Sequence, residues 1–396
     1  MDITPIGFEF NRKAKLRAEF EFPSDIYLVD STIRSLQSGI SGSKHTTQDL
    51  VDIGLALSAL GVRELIINVT WRDGLETIAG LKRQHPTARL VATLRARRPD
   101  FNELIARCRE AGADEVCIES AVDAAGLLVA ADVAHEHHMD VSHGFAETYT
   151  YEEVVAILEA GIEAGCTSQS FHDSFFRLAI SPEAMKAFIR AVRDDVAGLP
   201  PIYVHLSNFF GQATMTSVAA LTAGASAVDV CANGTGHHCG HTSLAEVALV
   251  VQSLYGRTVG IDLERLHGVS VLLRERTGVP ILAWQPVVGD YAFMGDAAYW
   301  AAEANVPFAE RVHATFPVDP ALVGAQERVV WNDRTLTTDA VAQKVSTLGL
   351  GPLSAAALGK VIGALSTRLE SLESFPNWLT DEEFVLFLRE LLSDEA

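Results

Sequence analysis

Between residues 26 and 256, short apolar, β-branched runs alternate with longer stretches of helical period. The runs are Ile26–Val29, Glu64–Val69, Arg89–Leu94, Glu115–Ile118, Asp140–His143, Thr167–Phe171, Ile202–Leu206 and Ala227–Ala232, eight in all. Their apolarity is continuous rather than alternating, as strands buried on both faces require. Gln48–Leu60, Asp100–Ala111, Tyr151–Ala164 and Pro182–Val196 space their apolar residues as helices do. Gly61, Gly112, Gly165 and Gly224 stand where such helices end, and Ser181-Pro182 is an N-cap followed by a proline in the first turn. The phrases EAGADEV, EAGCTSQ and TAGASAV repeat one grammar of helix end, glycine and next strand. Eight such units predict an α/β fold, a closed (β/α)8 TIM barrel over residues 1–257, with a doubly wound open sheet as the alternative. After residue 257 the grammar changes. Leu263–Thr277, Thr338–Leu348, Ser354–Leu372 and Asn377–Leu392 read as helices of a smaller, mostly helical C-terminal appendage over 258–396.

Composition narrows the function classes. A net charge of −20 disfavours the nucleic-acid backbone as a partner, and an anionic substrate would need a local basic patch. The five cysteines are scattered singly, with no CxxC pair, which suits free thiols in a reducing compartment. No secretory h-region opens the chain and no apolar run reaches membrane-spanning length, so a cytoplasmic protein without a membrane partner is expected.

In a barrel, chemistry sits just past the strands' C-terminal ends. Arg34 follows the first strand, where a guanidinium can hold a carboxylate or a developing enolate oxygen, unless it is a plain loop arginine. His205 and Ser207 close the seventh strand on one side of the chain, with Asn208 next. The eighth strand runs into CANGTGHHCGHTS, which packs His237, His238, Cys239 and His241 among glycines. Imidazole and thiol suit zinc or another transition metal, yet the spacing matches no standard zinc pattern. The cluster therefore reads either as metal ligands, as substrate-binding groups, or as incidental loop residues. Asp173 after the sixth strand is a candidate hydrogen-bond orienter or a loop cap; His143, Glu147 and His172 are weaker candidates. No P-loop, GxGxxG after a strand, or GxSxG elbow is present.

These segments resemble the DRE-TIM metallolyases, the family of isopropylmalate, homocitrate and citramalate synthases and hydroxymethylglutaryl-CoA lyase. VDSTIRSLQSG is similar to the family's DTTLRDGEQ, VHLSNFFGQA to HxHNDxGxA, and CANGTGHHCGHTS to NGxGERxGN. The late PVVGDYAFMGDAAYW resembles the segment that carries HESGIH. The resemblance covers most of the chain. It implies a divalent metal that chelates a 2-oxo acid, an acyl-CoA enolate that attacks the carbonyl, and an arginine that steadies the negative oxygen.

Carried over position by position, Arg34 matches the catalytic arginine and His205 the first metal histidine. The metal aspartate is Ser35 here, the following glutamate Gln37, the second metal histidine Ser207 and the metal asparagine His241. The Glu-Arg pair is His237-His238, and the late histidines are Gly295 and Trp300, with Asp296 still acidic. The resemblance implies Arg34 as a catalytic group, and strand-end position adds His237, His238 and Asp173 as catalytic candidates. Asn208, Gln37, Ser35 and Ser207 would contact substrate, and His205 and His241 remain as metal ligands. A site poorer in charge and richer in nitrogen suits Zn, Fe or Mn better than Mg, or works without a metal. The expected function is a Claisen-type acyltransferase joining an acyl-CoA to a 2-oxo acid. The alternatives are a carbon–carbon lyase or aldolase-like enzyme and a non-catalytic homologue. The expected partners are a small carboxylic acid, an acyl-CoA and a second copy in a homodimer.

Overall fold

The computed structural model describes residues 9–38, 42–119, 123–296, 316–330, 336–372 and 378–393. Trp300 lies outside the described residues. Eight parallel strands close on themselves: β1 (Tyr27–Asp30), β2 (Glu64–Asn68), β3 (Arg89–Leu94), β4 (Glu115–Glu119), β5 (Asp140–Phe145), β6 (Gln169–His172), β7 (Ile202–His205) and β8 (Ala227–Val230). Each sequence run overlaps one strand, and β1, β4, β5 and β6 extend past the ends of theirs. β1 pairs with β8 in register Val29↔Asp229, which closes the barrel and removes the open-sheet alternative.

Local signals act where expected. Gly61 and Gly112 end their helices at φ of 108° and 95°, which a side chain rarely adopts. Ser181 caps Pro182–Asp195 through the Ala184 N–H, and Ser243 caps Leu244–Tyr255 through Glu246. Tyr27, Val29, Ile66, Val91, Cys117, Tyr203 and Ala227 meet in the barrel interior. Strand side chains alternate, so two residues further on the same face comes Asp229 on β8, His205 on β7 and Glu119 on β4. An apolar floor thus carries a polar layer at its C-terminal end.

The chain divides into compact units at Gly289/Asp290, not at residue 257. The helix Leu266–Thr277 packs on the barrel helix Thr47–Leu60, which draws the following segment into the barrel unit. The second unit holds a short parallel pair, β9 (Met294–Asp296) with β10 (Arg328–Val330). Its helices Thr338–Thr347, Ala355–Glu370 and Asp381–Ser393 bury Val341, Val361, Leu365 and Phe384 together. The last helix starts on the Thr380–Glu383 capping box, both hydrogen bonds of which form. No described helix is long and apolar enough to cross a membrane.

Candidate active site

A cavity of about 260 Å³ opens at the C-terminal ends of the strands. Its lining includes Arg34, Ser35, Glu119, His172, Asp173, His205, His237, His238 and His241. Arg34 sits on a short helix, Thr32–Gln37, directly after β1. Asp30 accepts from the Thr32 N–H at 2.7 Å, and the Thr32 hydroxyl accepts from the Ala232 N–H at 2.7 Å, so β1 and β8 together fix this turn. The Arg34 guanidinium lies 2.9 Å from Glu119, with side chains 18% and 8% exposed. Burial works against its charge, but Glu119, with Asp229 and Asp173 beyond, outweighs burial and holds the proton more firmly.

His205 is oriented by a buried carboxylate. Its Nδ1 lies 2.9 Å from Asp229 Oδ2, which also accepts from the Ser31 hydroxyl at 2.6 Å. Burial disfavours an imidazolium here, yet the Asp229 charge overrides it and the His205 pKa rises. The neighbouring rings respond oppositely. His172 and His241 are pushed well below the usual imidazole range by burial, with the charges of Arg34 and His205 adding to it. His237 is lowered for the same reasons. The site therefore sets one imidazole of raised proton affinity beside several of lowered proton affinity.

The loop after β8 brings these rings together. Asn233 and His238 take positive φ, and Ser207 bridges His241 in antiparallel fashion. The His205 and His241 rings stand 4.4 Å apart, edge to face. Gly236 is required by this packing: a Cβ there would lie 2.3 Å from His241 Nδ1. His241 Nδ1 is 3.4 Å from the Ser35 hydroxyl and 3.6 Å from the Cys231 thiol. His237 bonds the Ser38 hydroxyl at 2.6 Å, and His238 lies against Phe209. Cys239 points to solvent.

Most residues singled out in the sequence thus face one cavity. Ser207 lines a neighbouring cavity, and its hydroxyl donates to Asp173, which lines both. Gln37 and Asn208 do not line the cavity at Arg34. Gln37 donates to the Arg72 carbonyl at 3.2 Å and accepts from the Asn68 N–H at 3.3 Å, tying down the loop after β2. Asn208 accepts from Ala213 N–H at the start of the next helix. It lines an adjoining cavity with His238 and His241. Glu119 and Asp229 were missed. The signal was available: each is a carboxylate two residues past an apolar interior position of its strand.

The four positions that the resemblance assigns to a metal hold Ser35, His205, Ser207 and His241, two hydroxyls and two imidazoles. Among the described residues, no three or more His, Cys, Asp or Glu side chains are grouped to hold a metal ion. His205 Nδ1 and the Ser207 hydroxyl are already committed to carboxylates. The donor set does not fit the family's divalent ion.

Residues 25–273 match the model of the HMGL-like family. The 2-phosphonomethylmalate synthase of Streptomyces rubellomurinus is 31% identical over 330 residues, covering 78% of this chain and 84% of that protein. The homocitrate synthase AksA of Methanopyrus kandleri is 25% identical over 407 residues, covering 96% and 95%. An HMG-CoA lyase solved with coenzyme A and 3-methylmalate superposes with a TM-score of 0.53 at 18% identity, covering 64% of this chain and 93% of that one. A family model spanning well over half the chain, laid over a closed barrel with Arg34 and His205 at its mouth, makes this protein a member of the HMGL-like, DRE-TIM metallolyase family.

Proposed function

We propose that this protein is a Claisen-type condensing enzyme that joins an acyl-CoA to a 2-oxo acid at an altered metal site. The observation that carries the reading is Arg34, pinned by Glu119 above a cavity ringed by five imidazoles. Enzymes of this family use a divalent metal. The donor set here does not match that ion.

His205, anchored through Nδ1 on Asp229, presents Nε2 as the base that takes a proton from the acyl α-carbon. The enolate carbon then bonds to the carbonyl carbon of the 2-oxo acid. Negative charge collects on the former carbonyl oxygen, where the Arg34 guanidinium stabilises it. The imidazolium of His205 returns its proton to that alkoxide. Hydrolysis of the thioester releases CoA. Neutral His172, His237 and His241 serve as hydrogen-bond partners for the acid.

The lyase reading uses the same groups in reverse. The test is a free-thiol assay with acetyl-CoA and a panel of 2-oxo acids, run beside the reverse reaction on a hydroxyacyl-CoA. Thiol release that depends on the acid supports condensation. Cleavage without condensation assigns the lyase direction. Neither activity from folded protein overturns the reading.

A further inference from the structure

One contact on the cavity wall joins a hydroxyl to an imidazole. The Ser35 hydroxyl lies 3.4 Å from Nδ1 of His241, and both residues line the cavity at Arg34. They stand 206 positions apart in the chain, so closure of β1 against β8 makes the contact. Each partner is held in place. Ser35 sits on the short helix Thr32–Gln37, which the Thr32 hydroxyl ties to the end of β8 through the Ala232 N–H at 2.7 Å. The His241 N–H donates to the Gly234 carbonyl at 3.0 Å, and its ring packs on Gly236. Other pairings nearby lack access to a ligand. The Cys231 thiol is 3.6 Å from the same Nδ1, but it is fully buried and lines neither this cavity nor the one beyond Asn208. Ser38 bonds His237 at 2.6 Å, yet Ser38 does not line the cavity. Ser207 already donates to Asp173. Ser35 is the hydroxyl that meets both an imidazole and the cavity.

We infer that Ser35 is the nucleophile that opens the thioester, with His241 as its base, so that CoA leaves through an acyl-Ser35 intermediate. This rests on the condensing reading above and assigns residues to its last step. Hydrogen bonds between nucleophile and base are commonly long before substrate binds. The Ser35 oxygen bonds to the thioester carbonyl carbon while His241 Nδ1 takes the hydroxyl proton. Negative charge moves to the carbonyl oxygen, for which Arg34, the adjacent residue on the same cavity wall, supplies N–H donors. The carbon–sulfur bond breaks, and the imidazolium gives its proton to the CoA sulfur. Water then adds to the ester carbon through the same histidine. The carbon–oxygen bond breaks and Ser35 recovers its proton. The sum is thioester and water giving acid and CoA thiol, with nothing oxidised or reduced.

The experiment is an acid quench of the full chain during turnover, read by intact-mass and peptide mass spectrometry beside free-thiol release. The substrates are acetyl-CoA with the panel of 2-oxo acids, and citramalyl-CoA and homocitryl-CoA, the thioesters that acetyl-CoA gives with pyruvate and 2-oxoglutarate. Ser35→Ala, Ser35→Cys and His241→Gln complete the set, and far-UV circular dichroism checks their folding. Ser35→Ala and His241→Gln should each release thiol roughly a hundredfold or more slowly than the native chain. The product acyl group should appear on residue 35 in the native chain or in Ser35→Cys, whose thiol is the stronger nucleophile. A serine that only binds substrate or supports the fold would carry no acyl group. Thiol release with residue 35 unacylated in both chains overturns the inference, as does native-like release from Ser35→Ala. Either result leaves the condensing reading standing, with water as the attacking group. If the native chain releases thiol in no arm, the condensing reading falls and this inference with it.

Discussion

Replacing Asp30 by Asn should do nothing below pH 3.8 and stabilise the barrel increasingly as pH rises to about 7 and above. Asp30 ends β1 with 1% exposure. One carboxyl oxygen accepts the Thr32 N–H, and the other is buried with no hydrogen-bond partner among the described residues. Burial, with Asp229 adding to it, lifts the pKa from 3.8 to about 7 against the opposing hydrogen bonds from Thr32. The direction of the linkage follows from which state loses its proton first. Below 3.8 both folded and unfolded chains are protonated, and the group contributes nothing. Between 3.8 and about 7 the unfolded chain releases its proton while the folded one keeps it, so stability falls as pH rises. Above that window the cost is complete, roughly 4 kcal/mol at 1.36 kcal/mol per pH unit. Asn keeps the acceptor that Thr32 uses and cannot ionise. Urea unfolding of both proteins at pH 4, 6 and 8, followed by circular dichroism, reads the difference directly, since other groups titrate alike in both. The gap should be near zero at pH 4 and open toward a few kcal/mol at pH 8. A gap independent of pH, or a variant less stable than the native chain at pH 8, refutes the argument.

Three further outcomes are expected. Glu119→Gln leaves the largely buried Arg34 without its counter-charge, and should lower stability by about 3 kcal/mol and turnover with it, measured by denaturant titration and thiol release. Gly236→Ala places a Cβ 2.3 Å from the His241 ring, so crystallography or histidine NMR should show that ring displaced and turnover reduced at least tenfold, near 1.4 kcal/mol. Ser35→Asp with Ser207→His restores the family's donors and should raise Mn or Zn affinity in calorimetry by about tenfold or more; unchanged affinity would show that the donor identities do not set metal binding.

The eight strands, their order and the helix caps were legible in the chain because each follows from a local rule. Continuous apolar runs demand two-sided burial, and Ser181, Gly61 and Gly112 terminate helices whatever surrounds them. The boundary after residue 257 was not legible, because the helix at 266–277 has the same period whether it covers the barrel or stands apart. Arg34, His205 and the loop histidines were found through position and motif. Their partners were harder. Asp229 lies 24 residues from His205, Ser31 lies 198 from Asp229, and Glu119 joins Arg34 from a strand on another part of the ring.

By itself, then, the sequence determined a barrel, the end at which its chemistry sits, and the loss of carboxylate and imidazole from the family's metal positions. Only the tertiary structure decided which groups meet there and how each is held. Closure of the ring sets Asp229 against His205 and Glu119 against Arg34. The reason is physical: burial and charge pairing depend on distances across the barrel, which residues far apart in the chain acquire only when the strands close.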